Sequence, residues 1–142
     1  MDLLVKDWMN PRPLTVDTGV TVAEAKAIMD KYWIRHLIVL DGAALVGILS
    51  DRDIRTVSLP PGGQFSLQDR EAHLRQELVS AIMTRGPRAV RPDTPIRDVA
   101  RLMLEHKFGS APVVEGDQLV GIITETDILR AFMKITEADR SG

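Results

Sequence analysis

The chain contains no cysteine, which excludes disulfide bonds and thiolate metal sites. It has only three histidines, and their spacing is not that of a metal site, so we expect no bound metal. No apolar stretch approaches the roughly 20 residues that a membrane-spanning helix needs. These absences favour a cytoplasmic protein that has no membrane partner.

The chain also lacks a large excess of either charge, since its 18 basic and 20 acidic residues give a formal net charge of −2. Nucleic-acid-binding proteins usually carry a basic excess on one face, so we expect no nucleic-acid partner. Motifs such as Gly-x-Ser-x-Gly, a Walker loop or His-Glu-x-x-His are absent, and no nucleophile with an adjacent base can be named. We therefore expect no catalytic residues and no enzyme activity.

The chain does contain an internal repeat, in which each residue aligns with the residue 74 positions later. Residues 45–48 and 119–122 both read Leu-Val-Gly-Ile, and no gap is needed from Val5 to Ile54. Chance similarity does not hold one register over such a length. The sequence therefore predicts a duplication, and with it two similarly folded copies.

The sequence pattern of each copy predicts a short helical turn, followed by elements in the order β-α-β-β-α. An extended piece precedes an amphipathic helix, and two continuous apolar runs joined by Asp-Gly or Glu-Gly predict a hairpin covered on both faces. Between the copies, residues 60–63 predict a loop, and Ser66 and Asp69 predict a helix start. We place the first domain at 1–58, the connector at 59–77, the second domain at 78–136 and a tail at 137–142.

One local motif occurs in both copies. Ser50 and Asp53, like Thr124 and Asp127, follow a glycine and two apolar residues. A strand that ends in a helix start suits a phosphate, and an aspartate one turn later can accept the hydroxyls of a ribose. The same spacing also matches a capping box that only stabilises the helix. From the residues alone, a nucleotide site and a pair of helix caps are both open interpretations.

The repeat length, the element order and the motif position together resemble the CBS domain family. That family's hallmark is a glycine, two apolar residues, Thr or Ser, two variable residues and Asp, and the resemblance covers residues 5–132. The opening residues 5–9 and the helical insert are similar to bacterial stand-alone and acetoin-utilisation-type CBS proteins. The resemblance implies an α/β fold of tandem β-α-β-β-α repeats packed as a pseudo-twofold pair, with two ligand clefts.

The resemblance also implies a regulatory ligand, namely AMP, ADP, ATP or S-adenosylmethionine, and no required cofactor. Residues in this chain match four kinds of family position: ribose, phosphate hydroxyl, adenine wall and phosphate approach. In that order they are Asp53 and Asp127; Ser50 and Thr124; Thr15, Val16, Ala89 and Val90; and Arg35, His36, Gly109 and Ser110, with Arg52 beside them.

The two copies differ in charge at the phosphate positions. The first copy has Arg35, His36 and Arg52 there, whereas the second copy has Gly109, Ser110 and Thr126. A polyphosphate is therefore expected to prefer the side of the first copy, unless Arg88 or Arg91 reaches across.

Two function classes remain open on the sequence alone. One is a ligand-sensing module that signals to an unidentified protein target, and the other is a structural or interaction module with no physiological ligand. In either case we expect a homodimer, because the helices carry apolar residues on more than one side. These residues are Ile54, Val57, Leu129, Phe132 and Met133.

Overall fold

A computed structural model of the chain describes residues 3–57 and 65–141. The chain folds as two compact units, one of residues 14–87 and the other of residues 1–13 and 88–142. The opening segment of each repeat therefore belongs to the unit that contains the body of the other repeat. The loop predicted at residues 60–63 lies outside the described residues.

The unit of residues 14–87 is built around a four-stranded sheet. Its elements are β1 (Thr15–Asp17), α2 (Val22–Tyr32), β2 (His36–Asp41), β3 (Ala44–Ser50), α3 (Asp51–Thr56), α4 (Leu67–Gln76), α5 (Val79–Ile82) and β4 (Thr84–Arg85). The strands lie in the order β1-β2-β3-β4. β1 runs parallel to β2, and the remaining neighbours are antiparallel.

The other unit repeats this plan with shorter outer pieces. Its elements are α1 (Val5–Trp8), α6 (Ile96–His106), β5 (Ser110–Glu115), β6 (Gln118–Thr124) and α7 (Glu125–Ser141). Single bridges replace its outer strands: Val90 pairs with Val113 in parallel, and Asn10 pairs with Ile122 in antiparallel fashion. The α/β fold class predicted from the sequence, with its two β-α-β-β-α repeats, is confirmed.

Helices α2 and α6 occupy equivalent positions in the two repeats and end in the same way. Thr21 accepts a hydrogen bond from the backbone of Glu24 at 3.1 Å, as the capping-box spacing predicts. Each helix ends at a residue in the left-handed conformation, Trp33 with φ 56° and Lys107 with φ 57°. A left-handed residue is a common way to end a helix, and here it turns the chain into the hairpin.

Each unit has its own apolar core between its helices and its hairpin. The hairpin strands contribute runs of consecutive buried residues, such as Leu37, Ile38 and Val39 in β2. This confirms the prediction, made from the continuous apolar runs, that both faces of these strands are covered.

The motif glycines lie where the opening segment of the other repeat crosses the hairpin. A Cβ atom on Gly47 would lie 2.9 Å from the carbonyl oxygen of Thr84, and one on Gly121 would lie 2.8 Å from that of Asn10. The sulfur of Met83 would be closer still to a Cβ atom on Gly47, at 2.5 Å. Real Cβ atoms do not approach other atoms so closely. These glycines are therefore required for packing, independently of any role in ligand binding.

Substitution of Gly47 by alanine is therefore expected to destabilise the fold. The added Cβ would push against a backbone oxygen of a paired strand, and overpacking of this kind costs about 1–3 kcal/mol. Urea unfolding should show this loss for Gly47→Ala, and a similar one for Gly121→Ala. Gly19→Ala is the control, because a Cβ there meets only the Asp17 carboxylate at 3.6 Å. Equal stability of the Gly47 and Gly19 variants would contradict this packing role.

Candidate functional site

The end of each hairpin brings the predicted phosphate-side residues together. The backbone N–H of Asp51 donates to the carbonyl oxygen of Arg35 at 2.8 Å, which ties the start of α3 to the start of β2. His36, half-buried, pairs with Ser50 across the hairpin. Arg35, His36 and Ser50 therefore lie at one end of the sheet, where α3 begins.

Ser50 and Asp53 form a reciprocal cap at this point. The Ser50 N–H donates to Oδ2 of Asp53 at 2.8 Å, and the Asp53 N–H donates to Oγ of Ser50 at 3.0 Å. Among the described residues, no donor reaches Oδ1 of Asp53 and no acceptor takes the hydroxyl proton of Ser50. The cap thus leaves one free acceptor and one free donor on the same helix start.

Two exposed arginines accompany this cap. Arg35 precedes β2 and Arg52 lies in the first turn of α3, and neither forms an ion pair with another described residue. Arg55, in contrast, lies 3.4 Å from the carboxylate of Asp51 on the same helix. Arg35 and Arg52 are therefore cations without a protein counter-ion in the described part of the chain.

The corresponding cap of the second repeat is arranged differently. Asp127 is buried, with 6% of its surface exposed. Its Oδ2 accepts from the N–H of Thr124 at 2.9 Å and from the Thr124 hydroxyl at 3.1 Å, while Oδ1 accepts from Arg130 at 3.2 Å. Both carboxylate oxygens and the hydroxyl proton are thus already engaged.

The backbone frame around this second cap is the same as in the first. The N–H of Glu125 donates to the carbonyl of Gly109 at 3.0 Å, and Ser110 pairs with Thr124. Ser110 is buried, and neither Gly109, Ser110 nor Thr126 carries a charge. The difference in charge read from the sequence is therefore present at equivalent positions of the two repeats.

The residues expected to face an adenine lie beside the hairpins. Val16 and Val90 are buried in the cores of their own units, so their side chains are not on the surface. The N–H and carbonyl of Val90 are both hydrogen-bonded to β5. Thr15 and Ala89, one residue earlier, are exposed and can meet a ligand.

Sequence reasoning missed Arg130. It lies three residues after Asp127, a spacing at which helix side chains meet, so its position was readable from the sequence. Thr56 takes the equivalent place in the first repeat and donates to the carbonyl of Asp53 instead. Because both residues lie beyond the repeated motif, the motif alone does not reveal the ion pair of Arg130 with Asp127.

Within residues 3–57 and 65–141, no helix has the length and apolar character needed to cross a membrane. The same part of the chain holds no group of three or more His, Cys, Asp or Glu side chains suited to a metal ion. The cytoplasmic location and the lack of a metal stay predictions.

Comparison with known proteins identifies the fold family. The family model of the CBS domain matches residues 5–59 and 79–134. A CBS domain-containing protein of Dictyostelium discoideum is 31% identical over 139 residues, which cover 96% of both chains. An L-aspartate semialdehyde sulfurtransferase of Methanocaldococcus jannaschii is 30% identical over 131 residues, but the chain spans only 23% of that relative. The matching region therefore also occurs as a part of larger enzymes.

Solved structures show the same fold at full length. A protein described as an acetoin utilization protein (AcuB) of Vibrio cholerae has a TM-score of 0.77 and 28% identity, with 100% of this chain and 98% of that chain covered. This similarity confirms the predicted resemblance to the acetoin-utilisation type.

Two further structures contain adenosine ligands. CBSX2 of Arabidopsis thaliana, solved with AMP, has a TM-score of 0.73 and 32% identity, with 93% of this chain and 97% of that chain covered. The CBS domain pair of protein MJ0100, solved with 5′-methylthioadenosine and S-adenosyl-L-methionine, has a TM-score of 0.77 and 29% identity, with 94% and 98% covered. With both repeats matched by the family model and their fold shared with these structures, the chain belongs to the CBS domain family.

Proposed function

We propose that this CBS pair is a regulatory module that binds an adenosine nucleotide, or an adenosyl ligand such as S-adenosylmethionine, and signals its presence to a partner protein. The observation that carries the proposal is the Asp53 carboxylate, since the cap holds Oδ2 and leaves Oδ1 without a donor among the described residues. Relatives of the same fold crystallised with AMP and with S-adenosyl-L-methionine support the ligand class.

The chemistry of Asp53 suits a ribose. An ionised carboxylate only accepts hydrogen bonds, and the two ribose hydroxyls can both donate to it. Asp53 is half-buried, so such bonds form partly out of water, where charge-assisted hydrogen bonds are strong. Because the backbone of Ser50 already fixes the carboxylate, little side-chain freedom is lost when the ligand binds.

The surroundings of Asp53 suit the phosphate of the same ligand. Arg35 and Arg52 supply charge without a protein counter-ion in the described residues, and the Ser50 hydroxyl supplies a donor. The second repeat has the acceptor Asp127 but no equivalent cation at Gly109, Ser110 or Thr126. A ligand with several phosphates therefore favours the first repeat, because the second repeat has no such cations for additional phosphates.

The alternative is a structural or interaction module without a physiological ligand. One observation favours it: both aspartates act as helix caps, and a cap needs no ligand. Asp69 caps the connector helix α4 through the same reciprocal bonds to Ser66, of 3.0 and 3.1 Å, outside any repeat motif. The two functions differ in whether Asp53 affects ligand binding or stability alone.

An apolar stripe on α7 supports a second copy of the chain as a partner. Leu129, Phe132 and Met133 lie at helical spacing, and each is more than half exposed, at 62%, 61% and 57%. The inclusion of Ile54 in such a surface is wrong, because Ile54 is 1% exposed and belongs to the core. Val57 also packs against that core. The proposed dimer surface therefore consists of the α7 stripe.

Replacement of the motif aspartates tests the ribose role. Asp53→Asn and Asp127→Asn should each weaken AMP binding by about 1–3 kcal/mol, because a charged acceptor becomes a neutral one. The free energy of unfolding without ligand should fall by only about 0.3–1 kcal/mol for Asp53→Asn. For Asp127→Asn it should fall by about 1–3 kcal/mol, because an amide cannot accept at both of the buried oxygens that Thr124 and Arg130 engage. Melting temperatures with and without AMP, combined with calorimetry, measure both quantities.

Asp69→Asn is the matched control for this experiment, because it alters the same cap geometry away from the motif. It should lower stability slightly and leave the AMP-induced shift intact. If the Asp53 and Asp127 variants behave like the Asp69 variant, the aspartates are caps alone and the structural alternative holds.

The phosphate contributes to affinity in this proposal. AMP should bind more tightly than adenosine by roughly tenfold or more, since one charge-assisted hydrogen bond contributes about 1.5–3 kcal/mol. Arg35→Ala and Arg52→Ala should narrow this difference in calorimetry, whereas Arg55→Ala should not, since Arg55 pairs with Asp51. Equal affinities for adenosine and AMP would remove the phosphate role.

The protein should be a dimer in solution. Light scattering at micromolar concentration should give twice the mass of the chain, because a monomer leaves the α7 stripe in water. A Phe132→Glu variant should shift the mass towards the monomer, while Leu67→Glu, at an exposed position on α4, should not. A clean monomer mass for the unmodified chain would contradict the dimer.

A further inference from the structure

The two motif aspartates differ in what already occupies them. Oδ1 of Asp53 has no donor among the described residues, whereas Oδ1 of Asp127 accepts from Arg130 at 3.2 Å. The hydroxyls differ as well. The Ser50 hydroxyl accepts from the backbone N–H of Asp53 and can still donate to a ligand, whereas the Thr124 hydroxyl already donates to Asp127. The difference at Oδ1 arises from this chain's own residues, because Thr56 stands where the second repeat has Arg130.

Arg130 occupies the part of Asp127 that a ligand would need. The cap uses Oδ2, so Oδ1 is the oxygen left for a ribose hydroxyl, and the guanidinium lies on it. Asp127 is already almost fully buried, so little of its carboxylate is accessible beside this contact. A ligand hydroxyl that bonds to Oδ1 must therefore displace the guanidinium or share the oxygen with it.

The guanidinium can leave at small cost. The side chain of Arg130 is 66% exposed, and ion pairs with such an exposed partner contribute little to stability because water solvates the released charge. A ligand can therefore break the contact between Arg130 and Asp127. Because the contact must be broken first, the ligand binds Oδ1 of Asp127 with lower affinity.

We propose that Arg130 lowers the ligand affinity of the second repeat by competing with the ligand for Asp127. The inference rests on the proposed function, since it presupposes that the motif aspartates hold a ribose. AMP then fills the first repeat before the second, although both repeats carry the same motif. Arg130 is not itself a ligand-contacting residue in this scheme and acts through the carboxylate.

Exchange of the two equivalent residues tests the competition. In an Asp53→Asn background, which leaves the second repeat as the intact motif, Arg130→Thr should tighten AMP binding about twofold to fivefold in calorimetry. Lys134→Thr, which removes a positive charge one turn further along α7, should leave that affinity unchanged. The converse graft, Thr56→Arg in an Asp127→Asn background, should weaken binding at the first repeat.

The outcomes separate this inference from the proposed function. No heat with AMP or S-adenosylmethionine for the unmodified chain would overturn both. Binding that depends on Asp53 and Asp127 but does not respond to Arg130→Thr would overturn the competition and leave the proposed function standing. Weaker binding after Arg130→Thr would also overturn it, since Arg130 would then assist the ligand. The Thr56→Arg graft decides the question if Arg130→Thr does not fold.

Discussion

The close approach of each opening segment to a glycine of the other repeat's hairpin is the contact on which each unit depends. Asn10 and Ile122 exchange two backbone hydrogen bonds of 2.9 and 3.0 Å across Gly121. The segment is anchored nearby by Val5, which is fully buried, and burial of a valine contributes about 1.5–3 kcal/mol. Because the glycine lies three residues before Thr124, the contact also fixes the strand end from which α7 and its cap begin.

The cap and the ligand role of the motif are compatible, because they use different atoms of the same side chain. The backbone holds Oδ2 of Asp53 and so orients Oδ1 before any ligand arrives. Such preorganisation raises affinity by reducing the ordering that binding requires. In the second repeat Oδ2 of Asp127 accepts from both the N–H and the hydroxyl of Thr124, and Arg130 donates to the remaining oxygen. The two copies of one motif therefore differ in the donors that already engage the aspartate.

Much of the fold was predictable. The hydrophobic periodicity is a local signal for each helix and strand, and the 74-residue register assigns the same elements to both copies. The hairpins, the α2 helix with its Thr21 cap and the helix starts at Ser50 and Thr124 follow from that pattern. The exchange of opening segments was not predictable, since no local signal says which hairpin Met9 or Met83 will cover. The surface position expected for Ile54 is wrong because helical spacing alone does not tell which apolar face meets the core.

A crystal structure of the chain with AMP tests the central claim most directly. We predict the ribose hydroxyls within hydrogen-bond distance of Oδ1 of Asp53, the Ser50 cap unbroken and the phosphate near Arg35 or Arg52. AMP bound away from Asp53, or an Asp53 carboxylate that contacts only the backbone of Ser50 while AMP occupies another surface, would contradict this claim.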